Sequence, residues 1–125
     1  MQPVRVLIAD DDEVVRDAIV DLVDGEAGFR VVAAAADADE AVALAREHRP
    51  DVAVVDVRMP GGGGPAACRG ILEVSPATVV IALSAFDRPG PRAEMAAAGA
   101  SRYLVKGLVA DELLAAIAEE AHRSR

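Results

Sequence analysis

Five short runs, residues 4–9, 29–33, 52–55, 79–83 and 102–105, are apolar at nearly every position rather than at every second one. A strand with that pattern is covered on both faces, which is the condition of a parallel sheet sandwiched between helices. Alanine-rich helical patterns separate the runs, and this alternation is the signature of successive βαβ units. Val15, Ile19, Leu22 and Val23 fall on one helical face, and Leu113, Leu114, Ile117 and Ala121 on another. Asp37 and Glu40 have capping-box spacing ahead of "AVALA", while "GPAACRGILE" puts Pro65 where a first helical turn tolerates it. Pro89, Gly90 and Pro91 crowd the start of a fourth helix, and Gly99 marks its end. The expected architecture is α/β, a doubly wound three-layer sandwich of five strands and five helices, with the Arg30-bearing second strand at an edge. One domain over residues 1–125 accommodates it.

Composition narrows the function. A net charge of −8 and a pI near 4.6 disfavour nucleic-acid binding by this segment, because such binding rests on Lys and Arg neutralising phosphates. Aromatic residues make up 2% of the chain, too few for base stacking. No apolar stretch approaches a membrane span, and "MQPVRVLIADDD" runs from a polar lead straight into acid rather than into a cleavable signal, so a cytoplasmic location is expected. The single Cys68 rules out an internal disulfide and reads as a packing residue. His48 and His122 lack metal-ligand spacing and read as surface residues.

In an open parallel sheet, ligands sit beyond the carboxyl ends of the strands. Here the first strand ends on Asp10, Asp11 and Asp12, the third on Asp56, the fourth on Ser84 and the fifth on Lys106. Clustered carboxylates repel one another unless a cation lies among them, and all-oxygen donors suit a hard ion such as Mg²⁺. The hydroxyl and the ammonium then remain as partners for phosphoryl oxygens. A carboxylate can itself be the nucleophile that forms an aspartyl phosphate, and Asp56, alone on a central strand, is the candidate.

The blocks "VLIADDDEVVR", "DVAVVDVRMPG", "VVIALSAFDRPG" and "AAAGASRYLVKG" resemble, in order and spacing, the receiver domains of two-component response regulators. The wording is closest to the receivers of LuxR-type regulators. The resemblance implies a flavodoxin-like, CheY-like sheet of order 2-1-3-4-5 and a cytoplasmic switch phosphorylated by a sensor histidine kinase. It also implies a role for each site residue. Asp56 is the phosphoacceptor, Asp11 a direct Mg²⁺ ligand, Asp10 a ligand through water, and the Arg58 carbonyl a further ligand. Ser84 and Lys106 meet phosphoryl oxygens, and Tyr103 is the switch aromatic that reshapes the face of the fourth helix, fifth strand and fifth helix. A homodimer through that face is a family-level expectation. Asp12 is left at the start of the first helix, where negative charge suits the dipole.

Some positions depart from the family pattern. Gly107 follows Lys106 where many receivers carry a cis proline, and a helix-turn-helix output in a longer parent fits the LuxR-like wording. Arg58 and Phe86, each two residues past a site residue, are expected to slow loss of the phosphoryl group to water. Two other functions compete with the switch. An aspartate-dependent phosphohydrolase would need a second aspartate at the position held by Arg58, and a non-switching dimerisation module would be expected to have lost site residues. Four glycines, Gly61 to Gly64, suggest a phosphate cradle, but Pro65 offers no N–H and the Lys and Ser/Thr of a P-loop are missing. The run is expected instead to loosen the wall beside Asp56, with Gly64 capping a helix that starts at Pro65.

Overall fold

A computed structural model describes residues 2–85, 87–107 and 110–123. The strands are β1 (Val4–Ala9), β2 (Phe29–Ala35), β3 (Val52–Asp56), β4 (Val79–Ser84) and β5 (Arg102–Val105). They alternate with helices α1 (Glu13–Asp24), α2 (Ala38–His48), α3 (Gly63–Val74), α4 (Pro89–Ala98) and α5 (Ala110–Arg123). All strand pairs are parallel, in the order β2-β1-β3-β4-β5, so β2 is an edge as its Arg30 suggests.

The unbroken apolar strands are explained by two cores. Successive side chains of a strand point to opposite faces. Leu7, Ala9, Ala53 and Val55 therefore pack with Ala41, Ala45, Ala67, Ile71 and Met95 of α2, α3 and α4. Val6, Ile8, Val52 and Val54 pack on the other face with Val23 of α1 and Leu113 and Ile117 of α5. Every residue of β3 is buried, which makes it the centre of the sandwich.

Side-chain capping explains the starts of α1 and α2. The Asp12 carboxylate accepts from the Val14 and Val15 N–H groups at 3.0 and 3.2 Å, so the third aspartate of the triplet is spent on α1. Asp37 accepts from the Glu40 N–H at 2.8 Å, and Glu40 reaches back to the Ala36 N–H at 2.8 Å, one residue earlier than in the standard capping box. Helix α3 differs from expectation. It begins at Gly63, with Gly62 as its cap and no side chain in the capping role, so Pro65 lies inside the first turn. Three strands also extend past their expected ends: β2 to Ala35, β3 to Asp56 and β4 to Ser84. The small residues at the end of β2 continue pairing with β1, as far as Ala35 opposite Ala9.

Candidate functional site

Because all five strands run the same way, Asp10, Asp56, Ser84 and Lys106 reach one edge of the sheet. Ladder-like backbone bonds carry the pairing beyond the strands. The Asp10 N–H donates to the Ala35 carbonyl at 3.0 Å, the Val57 N–H to Leu83 at 3.2 Å, and the Lys106 N–H to Ser84 at 2.6 Å. The site residues thus inherit the rigidity of the sheet rather than that of loops.

Asp10 and Asp56 are almost fully buried, 1% and 6% exposed, while Asp11 is exposed. Lys106 Nζ lies 2.9 Å from Asp10 Oδ2 and 3.3 Å from Asp56 Oδ2, bridging the two buried carboxylates. Asp10 Oδ1 accepts from the Asp12 N–H at 2.9 Å, and Asp56 Oδ1 from the Arg58 N–H at a long 3.4 Å. The buried Oδ2 of Asp10 has the lysine beside it but no well-directed hydrogen bond. Burial, and then the negative charge of Asp10, push the Asp56 carboxyl up from 3.8 to about 6, against the opposing pull of Lys106. Burial works against the Lys106 charge, but the two carboxylates outweigh it and raise its pKa above the ordinary value.

One carboxylate oxygen each from Asp10, Asp11 and Asp56 fall within 4.8 Å of one another. These are hard oxygen donors carrying three negative charges, with only one lysine facing the two buried members. A divalent cation fits that donor set and the under-bonded Asp10 oxygen. Ser84, 2% exposed, ends the strand beside that of Asp56, the two strands being in register at Asp56 and Leu83. Tyr103, three residues before Lys106 on β5, is half-buried against the α2–α4 core, with the Arg92 guanidinium 4.6 Å from its ring centre.

The remaining expectations divide. Arg58 is exposed at the mouth of a cleft it shares with Gly62, Gly63 and Glu94, and Phe86 lies outside the described residues. Cys68 is buried, its thiol donates to the Ala98 carbonyl at 3.4 Å, and burial pushes its pKa to about 11, as suits a packing residue. His48 is half-buried and His122 exposed. The glycine run has a tighter geometric role than looseness. Gly62 has φ of +103°, and a Cβ there would meet the Ala66 Cβ at 2.8 Å. A Cβ on Gly64 would lie 2.7 Å from the Asp56 carbonyl oxygen and from Val57 Cα, so only glycine lets α3 start this close to the end of β3. Gly107 adopts φ of +92°, which a proline ring cannot reach. Sequence reasoning missed Arg16, whose guanidinium donates to the Asp10 carbonyl at 3.0 Å. Its position one turn into α1 was the available signal, but nothing in the spacing distinguishes it from a solvent-facing arginine.

A doubly wound sheet of order 2-1-3-4-5 that gathers acid, hydroxyl and lysine at one edge defines a receiver. Residues 6–118 match the model of the response regulator receiver domain, and the chain belongs to that family. It is 39% identical over 114 residues, 91% of its length and 52% of the relative's, to the DNA-binding transcriptional activator DevR/DosR of Mycobacterium tuberculosis. The solved receiver domain of NarL from M. tuberculosis superposes with a TM-score of 0.92 at 30% identity, covering 98% of each chain. A LuxR-family response regulator from an Aurantimonas species superposes with a TM-score of 0.91 at 34% identity, covering 99% of this chain and 89% of that one. The chain spans about half the length of the curated relatives it matches. Among the described residues no helix is long and apolar enough to cross a membrane.

Proposed function

We propose that the chain, acting in the cytoplasm, accepts a phosphoryl group on Asp56 from a sensor histidine kinase and relays it as a change in the face made by α4, β5 and α5. The observation that carries this reading is the buried Asp56 carboxylate flanked by Asp10, Asp11 and Lys106 at the central strand end. In the transfer, an Asp56 carboxylate oxygen attacks phosphorus, the bond from phosphorus to the kinase imidazole nitrogen breaks, and the electron pair returns to the imidazole. Asp10, Asp11, Asp56 and the Arg58 carbonyl would hold Mg²⁺, which when bound offsets charge on the phosphoryl oxygens. Lys106, beside Asp10 and Asp56, supplies a second positive charge, and as the phosphoryl group arrives it exchanges a carboxylate contact for a phosphoryl one. The Ser84 hydroxyl donates to another phosphoryl oxygen.

The chain therefore catalyses only its own phosphorylation and, with water as acceptor, its own dephosphorylation. Arg58, exposed beside the acceptor, narrows the approach of that water; Arg58→Ala is expected to shorten the phosphorylated lifetime, and an unchanged lifetime would remove this role. DevR/DosR is described as DNA-binding, which supports a DNA-binding output in a longer parent and assigns none to the acidic domain itself. A homodimer through the α4–β5–α5 face is part of the same proposal.

Intact mass after incubation with acetyl phosphate and Mg²⁺ tests the assignment. Gain of one phosphoryl group by the wild type and none by Asp56→Asn is expected. Equal labelling of both, or none of the wild type even with a cognate kinase, overturns it.

A further inference from the structure

The aromatic on β5 is not held by the core alone. Arg92, on the second turn of α4, places its guanidinium carbon 4.6 Å from the Tyr103 ring centre. Its Nε donates to Asp87 Oδ1 at 2.7 Å. Asp87 lies in the β4–α4 connection, three residues after Ser84, and Tyr103 lies three residues before Lys106. A continuous path of contacts thus runs from the segment that follows the site hydroxyl, through a carboxylate and a guanidinium, to the ring. We propose that Arg92, oriented by Asp87, is a positioning residue that clamps Tyr103 in its resting orientation and so sets the threshold for switching. The proposal rests on the phosphoacceptor reading for its consequence, but the clamp itself stands on these contacts.

The physical reason is that a guanidinium prefers the electron-rich face of a ring, and a carboxylate bonded to Nε fixes the guanidinium plane that faces it. If the β4–α4 segment moves toward a phosphoryl group, the Asp87–Arg92 bond is strained. If the ring turns inward, its face leaves the cation. Both movements therefore cost the same pair of contacts. Arg92 and Asp87 are 46% and 63% exposed, so each contact is weak alone, and the clamp is a bias rather than a lock. A cation–π contact of this exposure corresponds to about a two- to fivefold shift in the ratio of resting to switched protein.

The chain has one tyrosine and no tryptophan, so its intrinsic fluorescence reports Tyr103 alone. The test is a titration with Mg²⁺ and beryllium fluoride, a phosphoryl mimic, on wild type, Arg92→Ala, Asp87→Ala and the double variant. Each single variant is expected to reach half-maximal response at about a two- to fivefold lower mimic concentration, and the double variant to match Arg92→Ala, since Asp87 acts through the arginine. A responsive wild type with an unmoved midpoint in Arg92→Ala, or additive single effects, overturns the clamp and leaves the phosphoacceptor reading intact. A wild type that neither responds nor gains a phosphoryl group defeats that reading instead. The clamp is then judged in resting protein by acrylamide quenching of Tyr103. A change on Asp87→Ala that disappears in the Arg92→Ala background supports it, and no change overturns it.

Discussion

Asp56 sits in a place where its ionised form is disfavoured, held by Lys106 but pressed by burial and by Asp10. With a folded pKa of about 6 against 3.8, the folded chain keeps its proton to higher pH than the unfolded chain does. Folding therefore takes up a proton between these values, stability falls as pH rises through the window, and the cost is fully present above it. In divalent-free buffer, Asp56→Asn is expected to be more stable than wild type at pH 7.5 by about 1–3 kcal/mol, with the gain disappearing below about pH 4. Urea unfolding at the two pH values checks this, and a pH-independent difference would contradict it. Gly64 is the second telling residue. Gly64→Ala must push its Cβ away from the Asp56 carbonyl and from Met95 Sδ at 3.1 Å, and is expected to cost about 1–3 kcal/mol in denaturant melts and to slow labelling of Asp56.

Among the elements, the helices show how far local rules reach. The Asp37 and Glu40 pair is legible from spacing, and the structure places Asp37 as the cap of α2. Asp37→Ala is expected to lower stability by about 1 kcal/mol with phosphoacceptor chemistry unaffected, measurable as a shifted urea midpoint at constant slope. The start of α3 was misplaced by two residues, because a proline marks the first turn without saying which residue of that turn it occupies. Three glycines of positive φ, Gly61, Gly62 and Gly63, precede or open that helix, and such geometry cannot be read from a run that would suit a flexible linker equally well. The strands, by contrast, were legible to within two residues, because covered parallel strands carry a continuous apolar signal.

For the molecule as a whole, a cation bound only by the folded chain adds stability by mass action. At free Mg²⁺ about ten times its dissociation constant, wild type is expected to gain about 1.4 kcal/mol, visible as a higher melting temperature that EDTA reverses. Asp11→Asn, which removes one exposed carboxylate charge beside the buried pair without disturbing the core, is expected to lose most of that gain. An equal magnesium effect in both proteins would exclude Asp11 from the site. What the sequence by itself determined was the sandwich, the edge position of β2 and the set of polar residues at the strand ends, since periodicity and strand-end chemistry are local properties of the chain. The strand order came with the family resemblance. Only the tertiary structure decided that Lys106 bridges Asp10 and Asp56 and that Arg92 covers Tyr103. These are contacts between side chains whose meeting depends on how strands and helices pack, and packing is settled by the two buried cores rather than by any local pattern.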